Sequence, residues 1–293
     1  MTGFLILDVF TDTAFAGNPL AFLPDARGLP EGRLQAIARE FNLSETAFVF
    51  PATNPAHDAR VRIFTPAQEL GFAGHPNVGA AVALAMAGTV LGRPVGDRLR
   101  FEEGAGLVLA DIRRDGGQVT GAAIRAPAAL ALGPERPAAE VAGLAGLAPE
   151  KLLGRTHKPL YASVGTGFLI AETSAEALDD ASPDPQAFAA EAAHAPEGHL
   201  PALLLWADLG HAGDELRVEA RMFAPLSGIA EDPATGSAAA ALGALLASLG
   251  VATRLSISQG RKMGRPSRIG VEARADGVWI SGQAVPVMEG RLL

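Results

Sequence analysis

Two kinds of apolar pattern run along this chain. The first is short. FLILDVF (4–10), NPLAFLP (18–24), TAFVFP (46–51) and ARVRIFTP (59–66) are brief or alternating apolar runs bounded by Gly, Pro, Asn or Asp, which predicts strands. RLRFEEG (98–104), GLVLADIRR (106–114) and VTGAAIRA (119–126) continue the series. KPLYASVGTGFLIAET (158–173), ALLLWAD (202–208), LRVEARMFAP (216–225), TRLSISQG (253–260), RIGVEARA (268–275) and GVWISGQAVPVM (277–288) do the same further on. Helices are predicted over 31–41, 136–146, 174–180 and 184–194. The second pattern is alanine-rich and apolar on every face, in GAAVALAM (79–86) and GSAAAALGALLA (236–247). A helix with no polar face belongs in an interior.

The two alanine-rich helices are parts of an internal repeat. RIFTPAQELGFAGHPNVGAAVALAM begins at Arg62 and RMFAPLSGIAEDPATGSAAAALGALL at Arg221. Arg-x-Phe-x-Pro opens both. A glycine-containing loop follows, then His75-Pro76-x-x-Gly79 in one and Asp232-Pro233-x-x-Gly236 in the other. The offset is 159 at the arginines (221 − 62) and 157 at the His/Asp positions (232 − 75), so the first loop is two residues longer. The pattern predicts a strand ending near the proline, a loop, and a helix whose first turn carries Pro76 or Pro233, where a missing amide hydrogen is harmless. Gly79 and Gly236 are expected to leave amides near the helix start uncovered. Each half then reads as strands enclosing an apolar helix, and the composition shift over 125–140 is the linker candidate.

Composition narrows the chemistry. Of 293 residues, 48% are hydrophobic, ample for a core, and the net charge of −8 disfavours a nucleic-acid backbone as partner. No stretch predicts a membrane span, and the N-terminus lacks the pattern of a secretory signal, so a cytoplasmic protein is expected. Cysteine is absent, which removes disulfides, thiolate nucleophiles and thiolate metal ligands. The six histidines are scattered, with His194 and His199 read as loop residues, and no phosphate-binding glycine motif occurs. No metal or nucleotide cofactor is expected.

The helix entrances are where chemistry is expected. A helix N-terminus carries unpaired amides and about half a positive charge, so two related helices aimed at one cleft would form an anion site suited to a carboxylate. His75 and Asp232 would face each other across it, and Ser237 would add a hydroxyl where the first half has Ala80.

The stretches DVFTDTAFAGNPLAF (8–22), NLSETAFVFP (42–51), GFAGHPNVGAA (71–81), DPATGSAA (232–239) and QGRKMGRPS (259–267), in this order, resemble the phenazine-biosynthesis isomerase (PhzF-like) family, whose fold is shared with diaminopimelate epimerase. The resemblance implies an α+β fold of two pseudo-symmetric domains. Each is a strongly bent, mostly antiparallel sheet wrapped round a central helix, and the active site lies between them. It places the domains at 1–125 and 126–293, with a strand near 283–293 available to complete the first. It also implies a cofactor-free isomerase, a homodimer, acting on a small unsaturated carboxylate such as trans-2,3-dihydro-3-hydroxyanthranilate. By the same resemblance the catalytic glutamate falls on Glu45, the histidine on His75, the aspartate and serine on Asp232 and Ser237, and the substrate-contacting asparagine on Asn18. Ser44, Gly74 and Gly236 join the substrate-binding set.

Each of these residues has a plainer alternative. Glu45 is either a solvated loop acid or cap, or a base whose pKa is raised in a drier pocket toward the working pH. His75 is either a helix-start cap or a neutral imidazole held so by the helix N-terminus. Asp232 is either an N-cap or a carboxylate kept ionised for a substrate amine. Ser237 can make only a local back-bond, and Asn18 can simply shape its turn. Racemases of this fold place a thiol at each helix entrance; without cysteine, two-thiol racemisation is excluded. The alternatives to a proton-moving isomerase are a single-base epimerase or tautomerase, and a non-catalytic binding protein on the same fold.

Overall fold

A computed structural model describes residues 2–197 and 200–293. His199 lies outside the described residues, and His194 sits in the turn after the helix Pro185–Glu191. Residue contacts separate the chain into two compact units. One comprises residues 1–127 and 279–293, and the other residues 128–278.

The first unit is organised round the helix Gly74–Ala87, in which every residue from Gly74 to Ala85 is buried. The strands encircle it. Ala284–Leu292 pairs antiparallel with Thr2–Val9, which pairs antiparallel with Asn18–Leu23. Asn18–Leu23 runs parallel to Glu45–Phe50, and Glu45–Phe50 antiparallel to Ala59–Phe64. Ala59–Phe64 meets Arg98–Glu103 in parallel, and Gly106–Asp115 and Gln118–Arg125 extend the sheet by hairpins. Gln118–Arg125 then pairs with residues 279–282 of the strand Gly277–Gly282. That last strand is joined through Gln283 to Ala284–Leu292, where the series began, so the sheet curls back on itself around the helix. Gly79 shows how closely: a Cβ there would stand 2.6 Å from Leu20 and 2.8 Å from Val9. Gly79 thus admits two strands against the helix. A helix Leu34–Phe41 covers the outer face over Leu23, Phe48 and Phe64.

The second unit repeats this connectivity round the helix Gly236–Ser248. Ala131–Glu135 pairs antiparallel with Leu160–Ser163, which pairs antiparallel with Gly167–Glu172. Gly167–Glu172 runs parallel to Leu203–Ala212, which pairs antiparallel with Glu215–Ala224. Glu215–Ala224 meets Arg254–Gln259 in parallel, and Arg254–Gln259 pairs antiparallel with Ser267–Arg274. These six pairings follow the same order of antiparallel and parallel as the first six of the first unit, which continues with Gln118–Arg125 and Gly277–Gly282. Three short helices, Ala138–Leu144, Ala175–Asp180 and Pro185–Glu191, cover the outer face over Tyr161, Leu169, Leu203, Leu205 and Phe223. The fold is α+β with mostly antiparallel, strongly bent sheets, as the sequence predicts.

Three boundaries differ from expectation. The single run 158–173 is a hairpin, turned at Gly165 with φ +133°. The run 277–288 breaks at Gln283. The linker candidate 125–140 contains the strand Ala131–Glu135, every residue of it exposed. Apolar runs show where strands lie, but a turn inside a run leaves no mark in hydropathy.

Candidate active site

Arg62 and Arg221, which open the two repeat segments, make the same local structure. Arg62 lies over the Phe64 ring at 5.1 Å, and Arg221 over Phe223 at 4.9 Å. Each also grips a downstream glutamate with two nitrogens, Glu69 for Arg62 and Glu231 for Arg221. This fork-to-carboxylate bond folds the following loop back beside its strand and delivers the chain to the helix entrance. The third bond differs. Arg62 reaches the exposed Glu31, whereas Arg221 donates to the buried carbonyls of Leu178 and Ala181.

In the first unit the helix entrance, the Asn18-Pro19 start of one strand and the Glu45 start of the next come together. The Asp8 carboxylate accepts from the Phe15 amide at 2.6 Å, and Gly17 turns the chain at φ +66°, where a side chain would run into the Val9 carbonyl. The chain thus enters the strand at Asn18, fully buried and paired with Val9, and continues to Pro19 and Leu20; Leu20 is the strand partner of Glu45. His75 is the second residue of its helix, not a cap. The N-cap is Ala73, which makes no side-chain capping bond. The His75 ring is 4% exposed and bonds the Pro19 backbone, which as a proline offers only a carbonyl. Nε2 has no hydrogen-bond partner, so Nδ1 carries the proton donated to Pro19 and Nε2 keeps its lone pair. Nε2 stands 3.5 Å from Glu45 Oε2, too long for a good direct bond. Burial pushes the His75 pKa down to about 3, and the Pro19 carbonyl offsets only part of this. The imidazole is therefore neutral, as the sequence predicts, but loss of water is the leading cause. Glu45 opens its strand with a side chain 14% exposed, between the buried Thr46 and the half-buried Ser44.

In the second unit Asp232 is buried at the end of the strand Ile229–Asp232, three residues before the N-cap Thr235. It is not an N-cap, and Pro233 is not in the first helical turn. Both corrections have one cause. A clamp holds residues 232–235 outside the helix. The Thr235 hydroxyl donates to Asp232 Oδ2 at 2.5 Å. Gln259 Nε2 donates to the Asp232 carbonyl and to Thr235 Oγ1, while its Oε1 accepts from the Thr235 amide. The Ser267 hydroxyl donates to the Pro233 carbonyl at 3.0 Å. Gln259 and Ser267 are the two ends of QGRKMGRPS, a stretch with no readable chemistry in sequence. Its glutamine and serine are now seen to satisfy the backbone of DPAT. Gly236 is the first helical residue and is buried. Ser237, the second, is half-exposed among buried neighbours. Asn18, Ser44, Glu45, Gly74 and His75 thus belong to the first unit, and Asp232, Gly236 and Ser237 to the second.

Among the described residues no group of three or more metal-ligating side chains occurs, and no helix is long and apolar enough to cross a membrane.

Comparison with known proteins adds the following. A family model described as phenazine biosynthesis-like protein matches residues 7–290. An uncharacterized isomerase from Mesorhizobium japonicum is 38% identical over 99% of this chain and 98% of its own. A trans-2,3-dihydro-3-hydroxyanthranilate isomerase from Pseudomonas aeruginosa is 34% identical over 99% of both. Among solved structures, a predicted epimerase from Pseudomonas aeruginosa superposes with a TM-score of 0.81 at 30% identity, covering 100% of this chain and 99% of the other.

Proposed function

This chain belongs to the phenazine biosynthesis-like protein family and is an isomerase, and on that premise we propose that it moves a proton within a small unsaturated carboxylate, with Glu45 as acid and base and no cofactor. The substrate class is represented by trans-2,3-dihydro-3-hydroxyanthranilate, named for the relative 34% identical. The observation that carries the reading is the placement of a buried, neutral His75 with Nε2 3.5 Å from Glu45. Glu45 takes a proton from one carbon of a conjugated system, the electron pair shifts along the double bonds, and the same carboxyl returns the proton to a second carbon on the same face. One C–H bond breaks, one forms, and the formula is unchanged. His75 Nε2, with its free lone pair, accepts a hydrogen bond from a substrate hydroxyl or amine.

The amides around Gly74, His75, Gly236 and Ser237 hold the substrate carboxylate, and Asp232 and Asn18 hold its other polar groups. One entrance alone offers a partial charge worth about 0.3–1 kcal/mol when exposed, so both are needed to desolvate a carboxylate and leave it satisfied. The active form is a homodimer. A second reading, single-base epimerisation at Glu45, is favoured by the name of the structural neighbour.

The test is incubation in D2O with trans-2,3-dihydro-3-hydroxyanthranilate and a panel of cyclic and amino carboxylates, followed by NMR. Deuterium at a new carbon with a shifted double bond, lost in Glu45→Gln, is the expected result. Exchange at a single carbon with inversion there would establish the epimerase. Full turnover by Glu45→Gln would remove Glu45 as the base.

A further inference from the structure

A second carboxyl lies inside the first unit, and the mechanism does not use it. Glu103 ends the strand Arg98–Glu103, on the same face as the buried Leu99 and Phe101. Both of its oxygens are shut from solvent without a hydrogen-bond partner of good geometry, and so is Asn77 Oδ1. Asn77 is nonetheless the polar group that reaches the Glu103 carboxyl, from the first turns of the central helix. Its Nδ2 also donates to the carbonyl of Ala73, the residue that caps this helix, at 3.0 Å. The hairpin that follows Glu103 closes on the same place. The Ala105 amide donates to the Gly71 carbonyl at 2.9 Å, and a Cβ on Gly104 would stand 3.0 Å from Gly71 Cα. Glu103, Asn77 and the 104–105 turn thus surround the residues 71–75 that lead into the helix, and His75 is two positions from Asn77.

We propose that Glu103 is a positioning residue, a carboxylic acid kept neutral in the native protein that braces Asn77 and the entrance loop and so fixes Gly74 and His75. An ionised Glu103 would also set a negative charge beside the end of the helix whose positive field, on the reading above, attracts the substrate carboxylate; a neutral acid leaves that field intact. Burial pushes the Glu103 carboxyl well above the usual carboxylate range, and the Asn77 amide offsets only part of the shift. Among the described residues no charged side chain counters that burial. The unfolded chain ionises this carboxyl at its ordinary value of about 4.5, while the folded chain keeps its proton, so the wild type loses stability as pH rises above that value.

Two substrate-free measurements test the protonation state, and two variants test the bracing role; only the role rests on the proposed function. Infrared difference spectra at neutral pH should show a protonated carboxyl band in wild type and Glu45→Gln that is absent in Glu103→Gln. Denaturant midpoints of wild type and Glu103→Gln should coincide near pH 4.5 and diverge upward, Glu103→Gln becoming the more resistant. A missing band together with parallel midpoints would overturn the neutral acid. Glu103→Gln should also leave the NMR signals of the His75 ring and Gly74 amide in place, while Asn77→Ala shifts them and lowers kcat by up to about 100-fold. Unmoved signals in Asn77→Ala would overturn the bracing role even if Glu103 proved neutral.

Discussion

At the first helix entrance the histidine of His-Pro-x-x-Gly lies within the helix, and its ring is dry, neutral and fixed by the Pro19 carbonyl. At the second, the aspartate of Asp-Pro-x-x-Gly lies ahead of the helix, held by a Thr235 hydroxyl and a Gln259 amide. The same repeat unit, entered by the same Arg-x-Phe stack, thus carries two different devices. The first leaves a nitrogen lone pair beside a carboxylate, the arrangement a proton transfer needs. The second supplies donors to a carboxylate and its backbone, the arrangement a fixed charge needs. Pseudo-symmetry of the chain does not extend to the chemistry of the entrances, and the one-base isomerisation proposed above has no use for two identical sites.

The largest effect expected lies at the first entrance. Glu45→Gln should lower kcat by about 10²–10⁴-fold while a carboxylate ligand binds within a few-fold of wild type, checked by steady-state kinetics and calorimetry. An equal loss from Glu45→Gln in ligand affinity would recast the first entrance as a charge holder like the second. Next comes acid stability. The unfolded chain protonates His75 at about 6.5 and the folded chain only at about 3. Wild type should therefore lose up to about 1.4 kcal/mol per pH unit as pH falls through this window, a slope His75→Gln should lack in chemical denaturation.

The two repeat arginines sharpen the contrast further. Arg221 is buried and holds two backbone carbonyls besides Glu231, so Arg221→Lys should cost about 3 kcal/mol of stability. Arg62→Lys should cost under about 1 kcal/mol, because Glu31 and Glu69 stand in solvent. Equal costs in thermal unfolding would show that the third bond contributes nothing. Between these two stands Thr235→Val, which leaves Asp232 Oδ2 short of one donor, at about 1.5–2 kcal/mol in thermal unfolding.

Much of this was legible in the chain. The two all-apolar helices and the paired Arg-x-Phe-x-Pro segments disclose the repeat, since a helix without a polar face can only be central. The acid and the imidazole of the first entrance were reachable by family likeness. The clamp on DPAT was not. Gln259 and Ser267 are separated from Thr235 by a whole helix and a strand, and their role depends on which backbone carbonyls the fold leaves unsatisfied there. The start of the second helix departs from expectation for the same reason, whereas Pro76 lies in the first turn of its helix as expected. Asp-Pro before an alanine run has the look of a cap, yet hydrogen bonds from distant strands keep residues 232–235 out of the helix. Glu103 gave no signal either, because RLRFEEG reads as a strand whose last acids belong in water.

The closing of the first unit by residues 279–282 and Ala284–Leu292 has a consequence for how the protein is made. Synthesis runs from the N-terminus, and domains generally fold as units while the chain emerges. Residues 128–278 form an unbroken segment, so the strand pairings within it can form before residues 279–293 have left the ribosome. Residues 1–127 emerge earlier, yet they lack the two strands that join Thr2–Val9 to Gln118–Arg125 until translation has passed Leu292. The half that is made first is therefore the half that finishes last, and during that delay its strands Thr2–Val9 and Gln118–Arg125 each present an open edge to other nascent chains.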